Sequence, residues 1–192
     1  MSQQTLACFG YDDWAWLNPP REASVTADRV RVVADPGTDF PSGRGQRTTG
    51  HALLRPAPLR FGIRAVVTGA YREQYDQAGL LLWCGAHHWV KAGIEYVDGV
   101  EQLGAVVTRV SSDRSAVPLS RLRENSGPLT IALAREGPTV EIRFGLAGGE
   151  PRTLLRQAYF PPEPECRTGP MVASPTGAGF AAEFSGVRFR SP

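Results

Sequence analysis

The sequence predicts an all-β fold, a sandwich of antiparallel sheets in a single domain. Three observations carry this. The chain spreads 21 glycines and 16 prolines through 192 residues, where they interrupt short apolar segments, and such punctuation favours turns and strands over long helices. Several segments alternate apolar and polar residues with the period of two that places alternate side chains on opposite faces of a strand. The long helical crossovers that a parallel sheet needs are missing. The length suits one sizeable domain, expected over residues 1–192, and two packed sheets are the simplest way to bury so many strands.

Taken in order, residues 24–33 alternate through Val25, Ala27, Arg29, Arg31 and Val33 and read as one strand. Residues 61–67 are the next. Residues 77–83 lead through a short turn at 84–88 into an antiparallel return at 89–97. Asp98-Gly99 is a strong hairpin signal before a strand over 102–109. Residues 129–135 and 140–146 flank a second hairpin signal at Glu136-Gly137. Residues 152–159 fit a strand or a short helical turn, and 180–189 close the fold. The prolines at 41, 56, 58, 118, 161, 162, 164 and 170 are expected in loops and at strand edges, where a missing donor is tolerated.

Composition narrows the function. Lys and Arg total 21 against 19 Asp and Glu, and the charges are scattered. No compact basic run accompanies an aromatic pattern, so no nucleic-acid partner is expected. No apolar run approaches membrane-spanning length, so no membrane partner is expected either. The start, MSQQTLACFGYDDW, has neither a positive cluster nor a continuous apolar segment. That argues against a signal peptide and for a cytoplasmic protein. Cys8, Cys84 and Cys166 are odd in number and far apart. They suit a reducing compartment better than a disulfide scaffold, as small buried side chains, with a nucleophilic cysteine the alternative. His87 and His88 read as loop groups with no third ligand at metal spacing, and the scattered aspartates make no calcium loop. No metal or cofactor is expected.

The densest stretch is YDQAGLLLWCGAHHWVKAGIEYVDG, residues 75–99. Parity divides it. Ala78, Leu80, Leu82, Val90, Ala92 and Ile94 form one apolar face. Tyr75, Gln77, Gly79, Leu81 and Trp83 share the other with Trp89, Lys91, Gly93 and Glu95. Aromatic rings can cover the C–H faces of a carbohydrate or other polyhydroxylated small molecule while Gln, Lys and Glu pair with its hydroxyls. Gly79 and Gly93 would let a ligand approach the backbone. The plainer alternative is a cross-strand Lys91–Glu95 charge network, with Trp83 and Trp89 covering the end of a hairpin.

The same residues carry a family resemblance. YDQAGL, WVKAGIEYVDG, VVTR at 106–109 and SSD at 111–113 resemble the DUF1349 family, and DPGTDF at 35–40, GHALLR at 50–55 and GPMVASPTGAGFAAEFSG at 169–186 extend the likeness over most of the chain. That family is similar to the concanavalin A-like lectin and glucanase superfamily, and it includes regulators of enolase. The resemblance implies a concanavalin A-like jelly-roll sandwich with one concave and one convex sheet. It puts Tyr75, Gln77, Lys91 and Glu95 on the concave face, with Thr108 on an adjacent strand. The chain also departs from the pattern. Pro41 follows Phe40 where an aromatic is expected, and Arg114 follows Asp113 where a tryptophan is expected. Two aromatic platforms are therefore absent, which implies a differently shaped pocket.

The expected function is recognition of a small molecule or carbohydrate through Tyr75, Gln77, Trp83, Trp89 and Thr108. The first alternative is a metal-independent enzyme on a sugar-like substrate, acting by epimerisation, elimination, cyclisation or hydrolysis. There Glu95 or His51 would move a proton and Lys91 would stabilise developing negative charge. Two-carboxylate hydrolysis would need a second acid, Asp76 or Asp98. The second alternative is a protein partner anchored on Trp14, Trp16 or Trp89, against which Trp14 and Trp16 read equally as core.

Overall fold

The computed structural model describes residues 4–41, 47–122, 127–162 and 165–191. The strands lie in two antiparallel sheets. The eight-stranded sheet contains β1 (Leu6–Cys8), β2 (Tyr11–Leu17), β5 (His51–Ala57), β14 (Cys166–Ala173), β7 (Gln77–Trp83), β8 (His88–Val97), β9 (Val100–Arg109) and β10 (Ser111–Pro118), in that spatial order. The seven-stranded sheet runs β13 (Thr153–Tyr159), β12 (Thr139–Leu146), β11 (Leu129–Glu136), β6 (Arg60–Gly69), β15 (Ala181–Arg190), β4 (Arg29–Val33) and β3 (Glu22–Val25). Hairpin meanders build β7 to β10 and β11 to β13. Late strands then insert between early ones, β14 between β5 and β7 and β15 between β6 and β4. This is the expected all-β jelly-roll sandwich of concanavalin A-like type. No helix among the described residues is long and apolar enough to cross a membrane.

Alternation sets the core. Ala78, Leu80 and Leu82 of β7, Val90, Ala92 and Ile94 of β8, and Leu103, Ala105 and Val107 of β9 turn inward. They meet Phe61, Ile63, Ala65 and Val67 of β6 and Leu129, Ile131 and Leu133 of β11 in one buried cluster. Burying each large aliphatic side chain is worth about 1.5–3 kcal/mol. The buried Arg55 is held by two of its three nitrogens, Nη1 having no hydrogen-bond partner among the described residues. Arg55 forks onto Asp13 through two 3.0 Å hydrogen bonds and lies 3.5 Å from the Tyr11 ring centroid.

Turn chemistry fixes the register beside the site. Asp98 and Gly99 have φ of 52° and 81°, the left-handed pair that a tight hairpin turn demands, and Val97 faces Val100 directly. The second hairpin differs slightly from its sequence signal. Glu136 still pairs with Thr139, so the turn is Gly137-Pro138, with Gly137 at φ 56°.

Two further expectations are corrected. Residues 24–33 are not one strand: the chain reverses after Val25, and Val25 pairs with Val30. The Thr26 hydroxyl donates to the Asp28 carboxylate and to the Arg29 carbonyl, each at 3.1 Å, and closes the turn. Prolines 56 and 170 lie inside interior strands rather than in loops or at edges. At Pro170 the pairing with β7 continues, whereas the ladder to β5 passes from Thr168↔Arg55 to Met171↔Ala52. The missing donor falls on that interrupted side. Of residues 152–159, Thr153–Tyr159 form strand β13. Pro164 lies outside the described residues.

Candidate functional site

The outer face of the eight-stranded sheet carries the groups singled out from residues 75–99. Register stacks them in rows across the strands. Gln77, Glu95 and Gln102 form one row. Gly79, Gly93 and Gly104 form the next. Leu81, Lys91, Val106 and Arg114 form a third, and Trp83, Trp89, Thr108 and Ser112 a fourth. The glycine row leaves a bare strip between two rows of long side chains. The resulting trough is shallow, a cavity of about 20 Å³, and is lined by Gln77, Lys91, Gly93, Glu95, Arg114 and Met171 among others.

The glycines have a reason of their own. A Cβ on Gly79 would stand 2.1 Å from the Ala92 carbonyl oxygen, and one on Gly93 would stand 2.2 Å from that of Ala78. Side chains there would collide with the facing strand. Glycine is thus needed for β7 and β8 to pair this closely, and the bare floor follows from that pairing.

A chain of polar contacts crosses the trough. Lys91 Nζ donates to Gln77 Oε1 at 2.6 Å, and Gln77 Nε2 donates to Asp39 Oδ1 at 3.2 Å and to the Tyr75 carbonyl at 3.3 Å. Asp39 Oδ1 also accepts the Phe40 amide at 2.7 Å. On the far side Arg114 Nη2 donates to Glu95 Oε2 at 2.9 Å and to Gln102 Oε1 at 3.1 Å. Burial pushes the Lys91 ammonium below the ordinary lysine range, opposed by the charges of Glu95 and Asp39. Burial likewise pushes the Asp39 carboxyl up, opposed by Lys91 and by hydrogen bonds from Phe40 and Gln77. The two groups are thus drawn toward each other's titration range, a pattern that clusters at functional sites.

The structure brings Gln77, Lys91 and Glu95 together and places the other candidates elsewhere. Trp89 is 1% exposed, sealed in a second apolar cluster with Phe40, Leu54, Leu81, Val106 and Met171. It offers no open ring face to a ligand or partner. Trp83 packs against that cluster. Thr108 is buried, and its hydroxyl pairs with that of Ser112 at 2.8 Å. Tyr75 precedes β7 with φ of 69°, is exposed, and contributes its carbonyl rather than its ring.

His51 does not reach the trough. Its Nε2 accepts the Asp35 amide at 3.2 Å, so Nδ1 carries the proton and donates to the Asn18 carbonyl at 2.7 Å. Both ring nitrogens hold backbone. The suggested second acids are also structural. Buried Asp76 accepts the Arg72 and Glu73 amides and the Ser174 hydroxyl, and Asp98 is clasped by the Gln74 side chain. Trp14 is core, with Nε1 donating to the Cys8 carbonyl at 2.9 Å, and Trp16 packs against the core.

Three site groups, Asp39, Gln102 and Arg114, escaped the sequence reading. Asp39 comes from a loop, within the DPGTDF block. Arg114 was visible only as a departure at a position expected to be tryptophan, and it now supplies the partner of Glu95. The cysteine expectation is corrected as well. Cys84 and Cys166 form a disulfide across 82 residues of sequence, because Trp83↔Arg167 pairing sets their neighbours side by side. Among the described residues Cys8 alone is free. Burial pushes its thiol up to about 11, which makes it a poor nucleophile. Among the described residues no three His, Cys, Asp or Glu side chains gather as a metal site.

The fold and the site define a concanavalin A-like sandwich with a polar trough on one outer sheet face. The chain belongs to the DUF1349 family, a family of unknown function whose model matches residues 16–192. It is 31% identical over 180 residues to Regulation of enolase protein 1 of Saccharomyces cerevisiae, covering 92% of this chain and 89% of that protein. A crystal structure of a functionally unknown protein from Saccharomyces cerevisiae superposes with a TM-score of 0.84 at 29% identity, over 94% of this chain and 97% of the other. The fold also matches part of xylan beta-1,4-xylosidase from Bacillus halodurans C-125, with a TM-score of 0.67 at 12% identity, over 85% of this chain and 33% of the enzyme.

Proposed function

We propose that the trough recognises a small, neutral, polyhydroxylated ligand of the sugar class. The observation that carries this is the arrangement of polar groups over a bare glycine floor. Two cations, Lys91 and Arg114, alternate with two carboxylates, Asp39 and Glu95, with Gln77 and Gln102 between them. Their charges cancel, so the site has no net attraction for an ion. It offers closely spaced donors and acceptors, which suits hydroxyl groups that both give and take hydrogen bonds. The likeness in fold to part of a xylosidase supports a saccharide as the ligand class. Titrating neutral pentose and hexose oligosaccharides, alongside uronic acids, by calorimetry tests it. Neutral sugars bind, and Gln77→Ala and Glu95→Gln each weaken binding by about tenfold, the loss of one hydrogen bond to a charged or buried partner. Preference for uronic acids, or unchanged affinity in both variants, would refute the reading.

The Asp39–Lys91 pair favours a second reading, proton transfer on the bound sugar in an epimerisation or elimination. Glu95 is ion-paired with Arg114, so Asp39 is the better-placed base. Product analysis by NMR on bound sugars decides between the two: turnover lost in Asp39→Asn with binding retained makes the protein an enzyme.

A further inference from the structure

The Cys84–Cys166 disulfide ties the end of β7 to the start of β14. Arg135 meets it from β11 of the opposite sheet. Arg135 shares the inward parity of Ile131 and Leu133 and is only 2% exposed. Its Nε donates to the Gly137 carbonyl at 3.0 Å and its Nη2 to the Pro161 carbonyl at 2.6 Å. Nη1 points at the bridge, 3.1 Å from Cys166 Sγ and 3.9 Å from Cys84 Sγ. One guanidinium donor is thus aimed at a sulfur that becomes negative only when the bridge opens.

The two cysteines differ in exposure. Cys166 is 5% exposed. Cys84 is half-buried, and both cysteines line a surface groove with Trp83, Gly85, Pro56, Glu165 and Arg167, Cys84 being the more exposed of the two. A reagent in the groove meets the more exposed Cys84, and the guanidinium lies against Cys166.

We propose that this bridge is a thiol–disulfide exchange site, at which a small dithiol reductant attacks Cys84 from the groove and Arg135 receives the Cys166 thiolate. The attacking thiolate forms a bond to Cys84 Sγ. The Cys84–Cys166 bond breaks, and its electron pair leaves on Cys166 Sγ. The reductant's second thiolate then displaces Cys84, which takes up a proton. The reductant departs as a disulfide, having given two electrons, and Cys166 remains as a thiolate against the guanidinium. A neighbouring cation lowers a thiol's pKa, and a thiol of lower pKa leaves faster. Arg135 therefore sets both the direction of opening and its speed.

Folded protein exposed to glutathione, quenched with acid, alkylated and mapped by mass spectrometry tests this. The glutathione adduct appears on Cys84 and the free thiol on Cys166. Arg135→Met slows opening by about tenfold, the effect of losing one charge-assisted contact, and Arg135→Lys recovers part of the rate. Adduct on Cys166, equal rates in the variants, or a bridge that opens only on unfolding overturns the proposal. Should Arg135→Met fail to fold, the wild-type chain reduced with a dithiol still decides. The pH profile of Cys166 alkylation then has its midpoint below the ordinary cysteine range, and a midpoint at or above that range overturns the assignment.

Discussion

Replacing Gly93 with alanine tests whether the trough floor is imposed by strand pairing. The added Cβ would lie 2.2 Å from the Ala78 carbonyl oxygen and 2.7 Å from the Gly79 Cα. Both are backbone atoms, so no side chain can swing away. To restore ordinary contact the strands must part by about 1 Å, whereas an N–H···O bond weakens beyond about 3.2 Å. Losing a pair of ladder bonds at about 1 kcal/mol each, with overpacking of about 1–3 kcal/mol, gives a destabilisation of roughly 3–5 kcal/mol. For a chain of this size that lowers Tm by roughly 6–20 °C. Thermal and urea unfolding of Gly93→Ala are compared with Gly62→Ala, a strand glycine whose added Cβ would meet nothing within 4 Å. The control leaves stability unchanged or raises it by under about 1 kcal/mol. Equal behaviour of the two variants would refute the argument.

Other substitutions separate structural from ligand-facing groups. His51→Leu strands the Asp35 amide and the Asn18 carbonyl and costs about 2 kcal/mol, while sugar affinity by calorimetry stays unchanged; a large loss of affinity at full stability would return His51 to the site. Arg55→Lys keeps the charge but loses the fork onto Asp13 and the stacking on Tyr11, lowering the urea-derived stability by about 2 kcal/mol; an unchanged midpoint would contradict this. For Asp39 the folded pKa lies above the unfolded one. The folded state therefore holds the extra proton between the two values, and the stability due to this group is present at low pH and lost as pH rises through that window. Urea midpoints from acid to neutral pH thus fall in the wild type relative to Asp39→Asn. Lys91 has the opposite sign, its folded value lying below the unfolded one, so its contribution recovers as pH rises through the window up to the ordinary lysine range.

The sandwich was legible because period-two alternation and the Asp98-Gly99 turn are local properties of the chain. Residues 24–33 misled for the same reason: alternation on both sides of a tight reversal looks like one strand. Strand β10, SSDRSAVP, gave no apolar alternation because it is an edge strand with little buried on either face. Within the site, Gln77, Lys91 and Glu95 were legible because parity and one hairpin place them on adjacent strands. Asp39 was not, since no periodicity reports which loop lies over a sheet. The burial of Trp89 was hidden for the same reason, because Phe40, which packs against it, comes from that loop. The disulfide depended on β14 inserting beside β7, a fact of topology rather than of cysteine spacing.

The most direct test of the sugar-binding account is chemical-shift mapping on isotope-labelled protein titrated with a neutral xylo-oligosaccharide. The account predicts that shifts concentrate on the amides of Gln77, Gly79, Lys91, Gly93, Glu95, Gly104 and Arg114, and that they disappear in Gln77→Ala. Shifts confined to the opposite sheet, or none at saturating sugar, would contradict it.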